Sequence, residues 1–156
     1  MLVMETDMER YGLGLAFEDV AGITSSEPRH LRVVVLHTTP ERTRAALRSL
    51  AQWTRNLEAT VWLVGVHVVP YPCPIDRPTV AREYLEKELT AAADGCEIPL
   101  QVQILFARDR VEALRLLLAK ETVLVLPTRR RWWRTSEEWL ARTLTRAGHK
   151  VALVAA

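Results

Sequence analysis

From residue 31 onward, short unbroken apolar runs alternate with longer segments of helical spacing. LRVVVLH (31–37) is a β-branched apolar run, the pattern of a strand covered on both faces. TVWLVGVHVV (60–69), PLQVQILFA (99–107), TVLVLP (122–127) and KVALVAA (150–156) repeat that pattern. The first helical segment opens at Thr39-Pro40, where a threonine caps and a proline at the first position gives up no needed N–H. It carries Ala45, Leu47, Leu50, Ala51 and Leu57 and is expected to run to about Glu58. YPCPIDRP follows the second strand; Pro70, Pro72, Pro74 and Pro78 make it an irregular loop.

The second helix is predicted over 79–93, with Val80, Tyr84, Leu85, Leu89 and Ala92 at helical spacing and Asp94-Gly95 as its stop. Asp109 with Glu112 forms a capping box for a third helix over 110–120. Thr135 with Glu138 forms another, for a helix running to Ala147 that Gly148 ends. Trp139 falls inside that helix near Leu140 and Leu144 and is expected in the core. The order β-α-β-α-β-α-β-α-β at these spacings predicts an α/β fold. Its five-stranded parallel sheet carries helices on both faces, a Rossmann-like three-layer sandwich. Ligands in such folds sit at the carboxyl ends of the strands, here His37-Thr38-Thr39, His67 to Tyr71, Ala107 to Asp109, and Pro127 onward.

Residues 1–30 show no clean period and end in TSSEP, so they read as an N-terminal arm before the 31–156 domain. Charge sharpens that division. The arm holds six acids against Arg10 and Arg29, a net −4, although the whole chain is +2. Four of the compensating cations sit together at Arg129, Arg130, Arg131 and Arg134, interleaved with Trp132 and Trp133. No apolar run approaches the ~18 residues of a membrane span, and the start MLVMETDMER lacks a signal-peptide pattern, so a cytoplasmic protein is expected. Cys73 and Cys96 are too few and too isolated for a disulfide scaffold or zinc site, and no His/Cys/Asp/Glu spacing suggests a metal.

VVVLHTTPE at the first turn, VGVHVV in the second strand and RDRVEAL at the third helix, in this element order, resemble the universal stress protein family over residues 31–156. The resemblance implies the same α/β fold. In the ATP-binding branch of that family a glycine motif, G-x-x-G-x9-G-[ST], follows the fourth strand and offers backbone N–H groups to phosphates. Here the first glycine falls at Pro127, which has no N–H, and the second at Arg130. The third falls at Leu140 or Glu137, depending on how the shorter loop is counted. The family's first-turn Asp is His37. Glu137 and Glu138 also place carboxylates in the first helical turn, where they satisfy the helix N-terminus from within. ATP or AMP is therefore disfavoured as a cofactor, and the chain is similar to the branch without the ATP motif. The family also implies a homodimer paired through the last strand. The apolar edge carrying Val151, Leu153 and Val154 agrees with it.

The candidate ligand or anion residues are His37, Thr38, Thr39, Thr128, Arg129, Arg130, Arg131, Thr135 and Ser136. Trp132, Trp133 and Arg134 are candidates for contact with an unidentified protein partner, and the plainest alternative is a solvated loop with arginines stacked on tryptophan. Helix caps account for most of the hydroxyls. No hydroxyl has a clear base partner, so a nucleophilic triad is not supported and no catalytic residue is assigned. His67 reads as a hydrogen-bonded core residue. The expected function is a non-enzymatic binding or regulatory domain. The first alternative is a nucleotide- or anion-binding protein, a weak ATPase at most, using the arginine run. The second is nucleic-acid binding through the Arg/Trp loop, which the modest net charge and acidic arm oppose.

Overall fold

The computed structural model describes residues 31–118, 121–129 and 135–155. The proposed arm, and the candidates Arg130, Arg131, Trp132, Trp133 and Arg134, lie outside the described residues. The elements are β1 (Leu31–Leu36), α1 (Pro40–Thr54), β2 (Ala59–Val68), α2 (Arg82–Ala93), β3 (Leu100–Ala107), α3 (Arg110–Leu117), β4 (Thr122–Thr128), α4 (Ser136–Arg146) and β5 (Lys150–Ala155). The five strands form one sheet in the order β3-β2-β1-β4-β5, and every neighbouring pair is parallel.

That order explains the two faces. From β1 the chain steps outward through β2 to β3, then crosses back over β1 to β4 and on to β5. Crossovers of one hand put helices on opposite faces when the direction of travel reverses. α1 and α2 accordingly cover one face, where Leu47, Leu50 and Leu89 meet Val33, Val35, Leu63 and Ile104. α3 and α4 cover the other, where Leu114, Leu117, Leu140 and Leu144 meet Val34, Leu36, Leu124 and Leu126. Alternate β1 residues thus point into two separate cores, which is why the run is apolar without interruption.

The predicted caps form. Thr39 Oγ1 accepts from the Arg42 N–H at 3.4 Å, Asp109 Oδ1 from Glu112 at 2.9 Å and Thr135 Oγ1 from Glu138 at 3.2 Å. Gly95 and Gly148 take φ of +75° and +92° just beyond α2 and α4, the left-handed geometry that lets a helix end sharply.

Several boundaries differ from the pattern reading. α1 stops at Thr54, whose hydroxyl donates to the Leu50 carbonyl, so Leu57 stands exposed beyond it. α2 starts only at Arg82, because Ala81 at its cap has no side chain to hold the first turn. α3 ends at Leu117, where Leu118 turns extended and buries itself. β4 continues through Pro127 to Thr128, so the loop starts later than expected. Trp139 is 61% exposed rather than core. The inward stripe of α4 is Glu137, Leu140, Ala141 and Leu144, spaced i, i+3, i+4 and i+7, and Trp139 lies on the opposite side. No helix among the described residues is long and apolar enough to cross a membrane.

Candidate functional site

Strand order reverses at β1, so the carboxyl ends of β1 and its neighbours frame a crevice. A cavity of about 400 Å³ opens there. Its polar lining is His37, Thr38, Thr39, Arg42, His67, Glu88, Arg110 and Glu137; Val66, Leu85, Leu89 and Ile104 supply an apolar wall. Separate elements thus deliver side chains to one spot: the β1–α1 turn, the end of β2, the first turns of α3 and α4, and the flank of α2.

His37 organises one end. Its backbone N–H continues the sheet, donating to the Val64 carbonyl at 2.8 Å. Nδ1 lies 3.0 Å from Thr43 Oγ1, and the same oxygen is 3.3 Å from the Thr38 N–H, which donates to it. The Thr43 hydroxyl can give its own proton to Nδ1, the arrangement that puts the imidazole proton on Nε2. Nε2 faces Glu88 Oε1 at 3.6 Å, too long for a hydrogen bond. The His37 side chain is only 10% exposed. Burial pushes its pKa below the ordinary value of 6.5, and the Glu88 charge offsets part of that shift. His37 is therefore neutral at pH 7. Thr43, His37 and Glu88 form a hydroxyl–imidazole–carboxylate line, but Thr43 is fully buried. A substrate has no access to its oxygen, and the line works as a brace.

The other end is ionic. Glu137, in the first turn of α4, has Oε1 3.6 Å from Arg42 Nη1, with the two side chains 12% and 22% exposed. Ser136 Oγ donates to Glu137 Oε2 at 3.1 Å. Arg110, the first residue of α3, borders the same crevice. Burial lowers its pKa and the Glu137 charge works the other way, so the guanidinium is desolvated faster than it is compensated. It stays protonated, because arginine starts far above neutrality. A carboxylate of the chain thus sits at the N-terminus of α4, paired with Arg42 and sharing the crevice with Arg110. That is where the helix dipole and the cations would otherwise favour a bound anion.

Of the residues predicted from sequence, His37, Thr38 and Thr39 line the crevice. Thr39 and Thr135 act as helix caps, and Ser136 serves Glu137. Thr128 is buried at the end of β4 beside Ala155 and does not line the cavity. Arg129 is exposed just past β4 and does not line it either. His67 is half-buried against the edge of Phe106, centroids 5.7 Å apart, rather than hydrogen-bonded in the core. It borders the crevice instead. On β5, the outer strand of the described sheet, Leu153 is 47% exposed and Val151 half-buried, while the Val154 side chain is 5% exposed and packs into the chain's own core.

Sequence reasoning missed Arg42, Thr43, Glu88 and Arg110. Each lies within a helix or at its first position, where arginine, glutamate and threonine read as ordinary solvated positions. Only the packing of α2 beside the end of β1 brings Glu88 to His37. A second cavity, about 380 Å³, lies lower between α1 and α2. Two of its cations are engaged: Arg44 donates to the Ala91 carbonyl at 3.3 Å, and Arg55 faces Glu97 at 3.9 Å. Among the described residues no group of three His, Cys, Asp or Glu side chains could hold a metal ion. Cys73 and Cys96 are free and half-buried against the α1/α2 core.

No protein-family model matches the chain, and no curated protein matches it significantly in sequence.

Proposed function

We propose that the chain is a non-enzymatic binding or regulatory domain of the universal stress protein type, working in the cytoplasm and not using ATP in that family's usual mode. A small polar ligand occupies the crevice at the carboxyl ends of the strands. The observation that carries this reading is the Arg42–Glu137 pair at the α4 N-terminus, with Arg110 bordering the same cavity. The chain's own carboxylate takes the position a phosphate would need. A phosphate placed about 4 Å from Glu137 is repelled by roughly 4 kcal/mol at an effective dielectric near 20. The remaining cavity still offers polar groups at one end and an apolar wall along the side, the usual composition of a small-molecule site.

The domain pairs with a second copy through β5. The two edges of the sheet support this, because they are treated differently. Arg82 lies across the β3 edge, with Nη1 donating to the Ile104 carbonyl at 3.1 Å. β5 carries the exposed Leu153 and pairs with β4 alone among the described strands. An open apolar edge favours a partner strand.

Calorimetry and thermal shift with ATP, ADP, AMP and cyclic nucleotides, with and without magnesium, test the ligand reading. No magnesium-dependent ATP binding is expected. Micromolar affinity for MgATP overturns the reading.

A further inference from the structure

The ligand class follows from Arg110, the crevice arginine that has neither a hydrogen bond nor a close ion pair among the described residues, whereas Arg42 is paired with Glu137. Arg110 carries five N–H donors, and none makes a hydrogen bond to a described residue. Its Nε is buried and unpaired. A buried arginine Nε normally has an acceptor. The nearby carboxylate is already committed: Glu137 gives one oxygen to Arg42 and the other to Ser136. Asp109 gives an oxygen to the Glu112 N–H and stands exposed. At this end of the crevice, two guanidiniums therefore face one buried carboxylate. One positive charge is left over.

That count selects a monoanion. A single negative charge completes the neutralisation, whereas a second would meet Glu137 without a cation of its own. A guanidinium matches the two oxygens of a carboxylate in a bidentate fork. Val66, Leu85, Leu89 and Ile104, along the same cavity, offer contact to an apolar body and nothing to a second charged group. Glu88, at the far end beside the neutral His37, opposes a second acid group there.

We propose that the crevice binds a small organic monocarboxylate, with its carboxylate on Arg110 and its apolar body against the wall formed by Leu85, Leu89 and Ile104. This rests on the crevice being a ligand site, as proposed above. Arg110 is then a residue kept for binding at some expense of stability, since its buried Nε has no partner within the protein.

The test titrates the full chain with benzoate, its neutral isostere benzamide, inorganic phosphate and MgATP, following binding by calorimetry and NMR line broadening. It is repeated with Arg110→Met and Arg110→Lys, and melting temperatures are recorded. The expected result is benzoate binding at least about tenfold tighter than benzamide. Phosphate should show no comparable binding. Arg110→Met should remove the benzoate preference while melting at or above the wild-type temperature, and Arg110→Lys should keep part of that preference. Equal affinity for benzoate and benzamide overturns the carboxylate inference and leaves the crevice a ligand site. So does a benzoate preference that survives in Arg110→Met. A large fall in the melting temperature of Arg110→Met, with Arg110→Lys restoring it, marks a structural arginine and overturns the inference too. If none of the four probes binds, the inference and the ligand reading of the crevice both fail.

Discussion

Replacing Glu137 with glutamine tests whether the chain supplies its own anion. The substitution keeps shape and one acceptor for Ser136 but removes the charge beside Arg42. At 3.6 Å and an effective dielectric near 20, the lost attraction is about 4–5 kcal/mol. Much of that is offset, because a carboxylate no longer has to be desolvated and Arg42 keeps some contact with water. A net destabilisation of about 2 kcal/mol is expected, or roughly 6 °C in melting temperature for a domain of this size. The second half of the prediction is more discriminating. With Glu137 neutral, Arg42 and Arg110 become an empty anion site at a helix N-terminus. Phosphate at about ten times a millimolar dissociation constant then returns roughly 1.4 kcal/mol, and most of the lost melting temperature comes back. The assay is differential scanning fluorimetry of wild type and Glu137→Gln in phosphate and in chloride at matched ionic strength. Phosphate should rescue only the variant. If the variant melts like wild type, or if phosphate stabilises both proteins equally, Glu137 is not an internal anion and the main argument against ATP loses its structural support.

The brace around His37 gives a pH prediction. Its folded pKa is depressed, so the folded state resists a proton that the unfolded chain accepts near pH 6.5. That contribution is fully present above pH 6.5 and is lost as pH falls toward the folded value. His149, depressed by burial and by Arg115, adds the same sign. Urea unfolding at pH 7.5 and 5.5 should show a smaller acid loss in His37→Gln than in wild type; an equal loss would exonerate His37. Thr43→Val should cost about 1–3 kcal/mol despite its matched shape, because the Thr38 N–H and His37 Nδ1 both lose their partner; an unchanged urea midpoint would mean water replaces the hydroxyl. Trp139→Ala should change stability by less than about 0.5–1 kcal/mol, while Leu140→Ala should cost about 2–5 kcal/mol; comparable losses would contradict the helical phase. Leu153→Lys should dissociate the proposed dimer in sedimentation analysis without unfolding it, whereas Val154→Asp should unfold the chain; a wild type that is monomeric at all concentrations would remove the β5 pairing.

The sequence by itself determined the element order, the parallel sheet and the starts of α1, α3 and α4. These rest on local chemistry: unbroken β-branched runs need two covered faces, and Thr39, Asp109 and Thr135 each cap a helix within three residues of themselves. It also placed His37, Thr38 and Thr39 at the correct end of a strand. Its errors were at points where the local pattern admits two answers. Helical spacing could not decide the phase of α4, so Trp139 was assigned inward when Glu137 held that place. Nor could it set where α1 ends and α2 begins, since Leu57 and Val80 fit a helical stripe that the helices do not extend to. What only the tertiary structure decided is the crevice. Arg42, Glu88, Arg110 and Glu137 lie on four different helices, and each reads alone as a surface charge. Strand order β3-β2-β1-β4-β5 brings the starts of α1, α3 and α4 and the flank of α2 over one strand end. There those charges are partly withdrawn from water and are set against each other or a ligand.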